Sequence, residues 1–244
     1  FNSLVNNNLE DGKIFVNLEL FFDDNLKIKN FIAKGEAQEL AGIINKNLSI
    51  KNMSFDFFGD SSDILIKNLK SKMEGLIVEN GNIQIKKDKK ISLKSDFKSR
   101  VDINRENIVN YLPLLKNIEF INLDTNINAI LDNFFNITFD KTFKIIEYDY
   151  SNKGKINNLS IRLNKPIKNL FLEKDINDMY LKNSSLNTRF ASDKKNYVNS
   201  IGKYSIDNQN FQDYEFKNNF SNESSNINLE LEILPKIKID IINY

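Results

Sequence analysis

The residues of this 244-residue chain that could do chemistry are carboxylates gathered in short polar stretches: Asp23-Asp24, and Asp60 with Asp63 inside Gly59-Asp60-Ser61-Ser62-Asp63. A calcium loop needs acidic ligands at regular spacing over about twelve positions around a central glycine, and neither stretch has that spacing. Glycoside hydrolysis needs two carboxylates in distinct environments, and no pair stands apart. The chain has no Cys and no His, so Ser-His-Asp and Cys-His catalysis and thiolate or imidazole metal sites are ruled out. Its 8 Gly are scattered, leaving no glycine-rich phosphate loop. The acidic stretches read as solvated turns. The chain is expected to be a non-enzyme with no cofactor, no metal and no covalent chemistry.

Charge points the same way. With 34 basic and 33 acidic side chains the formal charge is +1, so no net field draws the chain to nucleic acid. Lys86-Lys87-Asp88-Lys89-Lys90 reads as a hairpin tip kept soluble by lysine, not as an anion patch. Asn is abundant beside Ile and Lys, a bias expected of AT-rich codons, and carries no functional weight.

The strongest pattern is alternation of period two, which belongs to a strand with one greasy and one wet face. Residues 13–22 place Ile14, Val16, Leu18, Leu20 and Phe22 on one side. Ile64 and Ile66 follow, then Ile83 and Ile85. The longest run, 91–103, aligns Ile91, Leu93, Phe97, Val101 and Ile103, with Ser95 and Ser99 interrupting. These serines mark either a bend in the strand or small residues in a tight core. Near the end come Leu229, Leu231 and Ile233, then, after Pro235, Ile237 and Ile239. Phe21-Phe22, Phe57-Phe58 and Phe134-Phe135 each put one ring on either side of the sheet.

Turn signals divide the strands every 8–14 residues. Breaks are expected at 23–25, at Gly35 and 38–42, at 59–62, at Asn80-Gly81 as a hairpin dipeptide, at 86–90, 151–155, 192–196, 207–210 and 221–225, with a kink at Asn52. Residues 104–117 change to helical spacing, with Ile108, Tyr111, Leu112 and Leu115 on one side, Asn104 as N-cap and Pro113 ending or kinking the helix. A helical turn is also possible at 174–180. Connections this short dictate antiparallel pairing of sequential strands. The predicted fold is mainly β: one long antiparallel meander over 1–244, with one short helix around 105–116 and a possible subdivision near 104–117.

The ordered texture from Leu26-Lys27-Ile28-Lys29-Asn30-Phe31 through 48–57, Ile64-Leu65-Ile66-Lys67-Asn68-Leu69 and Gly81-Asn82-Ile83-Gln84-Ile85 to Ile91-Ser92-Leu93-Lys94-Ser95-Asp96-Phe97 resembles the AsmA-like proteins of Gram-negative bacteria, in particular the YhdP branch. The resemblance covers about residues 13–120. It implies a curved, U-shaped, taco-like trough carrying phospholipid acyl chains between the inner and outer membranes. It also implies that the chain is a periplasmic segment of a longer, inner-membrane-anchored protein, with its anchor and both membrane contacts outside the segment. The alternating apolar residues named above would line the groove. The rival expectation is a structural or adhesive module, a β-sandwich or solenoid with a dry core, whose greasy face is sealed by a second layer.

Overall fold

The computed structural model describes residues 9–45, 48–108, 124–167, 175–193, 195–207, 209–221 and 224–232. Twelve strands, β1 (Leu9–Phe22), β2 (Ile28–Asn45), β3 (Leu48–Asp60), β4 (Asp63–Met73), β5 (Leu76–Lys87), β6 (Ile91–Ile103), β7 (Asn126–Phe139), β8 (Ile145–Ile167), β9 (Ile176–Ala191), β10 (Asn196–Ile206), β11 (Gln212–Phe220) and β12 (Ser225–Leu231), form one open sheet. Each is hydrogen-bonded to its neighbours in chain order, giving the antiparallel meander that alternation and short turns predict. Among the described residues there is no second sheet. The chain divides into two compact units: Phe1–Arg100 with Leu131–Asn152 and Arg189–Asp193, and Val101–Ile130 with Lys153–Thr188 and Lys194–Tyr244.

Several turns fall where the sequence puts them. At the β1–β2 turn the Asp23 carboxylate accepts the Asn25 and Lys27 amides, both at 2.9 Å. At the β3–β4 turn Asp60 accepts those of Ser62 and Asp63 at 2.7 and 2.8 Å. These are Asx turns, in which a short carboxylate stands in for a backbone acceptor. The lysine-rich stretch is exposed and runs from the end of β5 into the tip, closed by Asp88 N–H donating to the Lys90 carbonyl at 3.0 Å.

Other expected breaks lie inside strands. β5 runs through Asn80-Gly81, and the chain reverses instead at Glu74-Gly75, where Gly75 has φ +74°. Gly81 is required for space: a Cβ there would sit 2.8 Å from the Cβ of Phe97 on β6. A dipeptide that favours hairpins also fits where two backbones crowd. β2 likewise continues through Gly35 and 38–42, where its pairing with β3 slips between Ala37 and Leu40 and again before Gly42. β8 runs through 151–155 because Asn152, read as a turn residue, is buried and donates to the Tyr150 hydroxyl at 3.0 Å. The helical turn expected at 174–180 is strand from Ile176 onward.

At 104–108 the backbone makes one tight turn. Ile108 N–H bonds the Asn104 carbonyl at 2.9 Å, and the Asn104 side chain caps the Glu106 amide at 2.9 Å, the N-cap role its position predicts. The rest of the expected helix, 109–116, lies outside the described residues.

The first unit carries a row of backbone irregularities. Gly12 (φ +118°) in β1, Glu39 (φ +53°) in β2, Asn52 (φ +52°) in β3 and Asn68 (φ +55°) in β4 all occupy the left-handed region inside strands. Strand pairing shifts register beside each of them. They neighbour one another: Glu39 N–H donates to Ser54 Oγ at 3.0 Å and Asn68 Nδ2 to the Asp56 carboxylate at 2.6 Å. A bulge bends its strand and increases its local twist. Four such positions fall in four adjacent strands, and Asn52, where the sequence suggests a break in the strand, is one of them.

Candidate functional site

Residues paired across an antiparallel ladder share a face, so register sorts the apolar side chains. In the first unit Ile14, Val16, Leu18 and Leu20 of β1 oppose Ala37, Gly35, Ala33 and Phe31 of β2. Ala33, Gly35 and Ala37 oppose Gly59, Phe57 and Phe55 of β3. Phe57 and Gly59 pair with Ile66 and Ile64 of β4, which pair with Ile83 and Ile85 of β5. Gly81, on the side of Ile83, faces Phe97 of β6. The predicted lining residues of β1, β4, β5 and β6 thus fall on one face, joined through β2 and β3 residues that the sequence reading did not assign to it, and by alternation along their own strands Phe22, Ile91 and Leu93 belong to it too.

The face continues as a ladder of rings, one per strand. Phe97 stacks on Phe135 of β7 (centroids 5.8 Å apart), Phe135 on Tyr150 of β8 (4.3 Å) and Tyr150 on Phe190 of β9 (6.2 Å). Offset stacking adds about 0.5–1.5 kcal/mol per pair beyond area burial. Sequence reading does not single out Phe135 within its Phe-Phe pair and misses Tyr150 and Phe190 as a set, because Tyr150 precedes a stretch that reads as a turn. Phe55 and Phe57 were legible in the alternation of 53–57.

Small polar residues sink beneath these rings. Ser95 is buried, as are Ser99, Asn133 and Asn152. Asn133 Nδ2 donates to Ser99 Oγ (2.9 Å), and Tyr150 OH donates to Asn133 Oδ1 (3.1 Å). Ser99 Oγ also lies 3.5 Å from the Leu131 carbonyl. Ser95 and Ser99 are therefore small residues in a tightly packed strip, the second of their two predicted roles.

The face is most open at β1. Ile14, Val16, Leu18, Leu20 and Phe22 are 42–55 % exposed, and every residue of β1 is exposed. The lining positions on β4, β5 and β6 are half-buried. Among the described residues the buried apolar side chains are few and mostly small or scattered: Ala37, Leu40, Ile108, Ala129, Ile156, Ile176, Ala191 and Tyr214. The opposite face has its own exposed rings, Phe15, Phe21, Phe58 and Phe134, so the doubled phenylalanines do straddle the sheet. Lys34 pairs with Phe58 and Asp56 with Lys67 on that side, setting its rings among charges.

In the second unit Ile227, Leu229 and Leu231 of β12 are exposed and paired with Asn218, Phe216 and Tyr214 of β11. Phe216 and Tyr214 pair in turn with Ser200 and Gly202 of β10, and the Ser200 and Tyr214 hydroxyls meet at 2.6 Å. Val101 and Ile103 are half-buried at the end of β6. Ile233, Ile237 and Ile239 lie outside the described residues.

In the first unit Arg189 of β9 is gripped by Asp149 (2.7 Å) and Asp193 (2.9 Å), and these bonds raise its guanidinium above the ordinary arginine value, Asp149 contributing most. The clamp borders an open depression of about 450 Å³ lined also by Asn136, Thr138, Glu147 and Tyr148. In the second unit Arg162 bridges Asp178 (2.9 Å) and Asp124 (3.2 Å). Asp60 and Asp140 are held below the ordinary carboxyl value of 3.8, Asp60 chiefly by the Asp63 amide and then that of Ser62, Asp140 chiefly by the Thr142 hydroxyl and then the Lys144 amide. Among the described residues no three acidic side chains are grouped to hold a metal ion, and no helix is long and apolar enough to cross a membrane.

The arrangement offers an apolar strip one side chain deep, floored by glycine, alanine and serine and edged by rings. Compared with known proteins, the chain matches no family model, no curated protein and no solved structure.

Proposed function

We propose that this chain is a lipid-bearing segment of an envelope protein, its apolar sheet face serving as a groove along which phospholipid acyl chains pass between inner and outer membranes. One observation carries the proposal: the predicted lining positions of β1, β4, β5 and β6 share one face, which β2 and β3 carry across with Ala, Gly and Phe, and β1 leaves its share exposed. A greasy sheet face needs a cover. A dry sandwich would supply it with a second sheet about 10 Å away; the described strands all belong to one sheet. Hydrocarbon is the alternative cover, gaining about 0.8 kcal/mol per buried methylene. A strip of repeating Ile, Leu and Phe offers similar energy at each step, so an acyl chain slides at small cost yet leaves for water only at large cost. The row of bulges supports a sheet bent into a trough. The periplasm, and anchoring through regions outside the segment, complete the proposal.

The test is site-specific photocrosslinking in cells. Probes at Leu18, Ile66, Phe97 and Leu231 are expected to yield lipid adducts, and probes at Asn17 and Lys94, one residue from an inward position, are not. Equal labelling at both sets, or none, rejects conduction and leaves a scaffold or adhesive module.

A further inference from the structure

The lysine-rich β5–β6 tip stands where two apolar rows of the first unit end. Ile64 faces Ile85 across the ladder and Asp63 faces Lys86; beyond that pair Lys87 N–H donates to the Ser62 carbonyl at 2.7 Å. Alternation along β5 sets Lys87 on the side of Ile83 and Ile85, and β6 re-enters the sheet at Ile91, directly after Lys89-Lys90. In a meander every second turn lies on the same edge of the sheet, so the β1–β2, β3–β4 and β7–β8 turns share this edge. Their carboxylates are engaged by their own turns: Asp23 by the Asn25 and Lys27 amides, Asp60 by those of Ser62 and Asp63, and Asp140 by those of Thr142 and Lys144 at 2.8 and 3.0 Å. The tip lysines differ. Lys86 has Asp63 opposite it, but Lys87, Lys89 and Lys90 are exposed and form no ion pair among the described residues, with Asp88 the one acidic residue between them.

We infer that this tip holds the headgroup of a phospholipid of net negative charge, whose acyl chain lies on Ile83, Ile85, Ile91 and Leu93. The inference rests on the lipid-bearing role proposed for the sheet face and adds the class of lipid. A phospholipid asks for apolar surface and cationic surface within the span of one molecule. Lys87 follows Ile85 by two residues, about 7 Å along the strand, so one strand serves both ends. The lysines stand in water at the sheet edge, where a headgroup keeps its hydration while its chain is covered. A zwitterionic headgroup brings an ammonium that three lysines repel; a net negative one brings only the charge they attract.

The test offers the purified chain, with a photocrosslinker at Ile85, vesicles of phosphatidylglycerol and phosphatidylethanolamine in equal amounts, and identifies the adducts by mass spectrometry. Phosphatidylglycerol adducts are expected in excess by about fivefold or more, the ratio that one lysine near an anionic lipid surface supplies, and the excess should shrink as salt rises. Replacing Lys87, Lys89 and Lys90 together by Gln should abolish the excess while adducts still form, with circular dichroism unchanged. Gln at the exposed Lys67, Lys70 and Lys72 of β4, an equal loss of charge, should keep it. Adducts without headgroup preference, a preference that survives the tip variant, or one lost equally in the β4 variant would overturn the inference and leave the lipid-bearing role standing. Competition by inorganic phosphate at the concentration of the lipid would reveal a free-phosphate site and overturn it too. No adduct of either lipid would reject the lipid-bearing role itself, and the inference with it.

Discussion

Gly35 and Gly81 are fixed by what lies beside them. A Cβ at Gly35 would fall 1.9 Å from the Phe15 carbonyl oxygen, and one at Gly81 2.8 Å from the Phe97 Cβ; at Gly59 the nearest atom is 3.3 Å away. Alanine at 35 or 81 is expected to cost about 1–3 kcal/mol, the range for overpacking, and alanine at 59 distinctly less, read from urea unfolding midpoints. The ring ladder makes a second claim at this scale. A double-mutant cycle on Phe135 and Tyr150, whose centroids are 4.3 Å apart, should return a coupling of about 0.5–1.5 kcal/mol. The turn carboxylates make a third. Because the folded-state values of Asp60 and Asp140 are lowered, their contribution is complete above the unfolded value of 3.8 and fades as pH falls through the folded values. Unfolding followed between about pH 5 and pH 2 should show an acid limb that Asp60→Asn and Asp140→Asn make shallower. No change of slope would mean that these turns do not couple to folding.

Among the elements, the strands with regular alternation were the legible ones. Ile14 to Phe22, the Ile91 to Ile103 run and the closing pair Leu229 and Leu231 lie in strands as read, because one apolar face leaves no choice of register. The misplaced boundaries share a cause. Asn80-Gly81, Gly35 and 151–155 have turn composition, yet the structure spends those residues on close approach, on bulges and on a buried hydrogen-bond strip, uses that a local window cannot tell from a turn. The ring ladder was hidden for the same reason, since it joins residues as far apart as Phe97 and Phe190. The bulges give a direct test. Left-handed backbone costs a non-glycine L-residue about 1–2 kcal/mol, which Asn bears more readily than most. Asn52→Val, adding a β-branch at φ +52°, should destabilise by about that amount, and Asn52→Gly should not. Equal effects would show that the bulge is not held at this residue.

At the scale of the molecule, the absence of a second layer among the described residues sets the character of the chain. Stability must come from ladder hydrogen bonds and from the sides of neighbouring side chains, since the buried apolar set is small. A ligand covering the open face should then stabilise strongly: if acyl chains are that ligand, detergent or phospholipid should raise the unfolding temperature, whereas a dry scaffold would be indifferent or denatured. Strict chain-order pairing has one more consequence. In most folds an inserted segment must be accommodated by elements distant in sequence, but here every strand answers only to the strands made just before and just after it. A duplicated hairpin inserted at any turn would widen the ribbon by two spacings, about 9.6 Å, and leave every other partnership intact. Length is thus a quantity that a lineage can adjust in even increments, by copying one hairpin at a time.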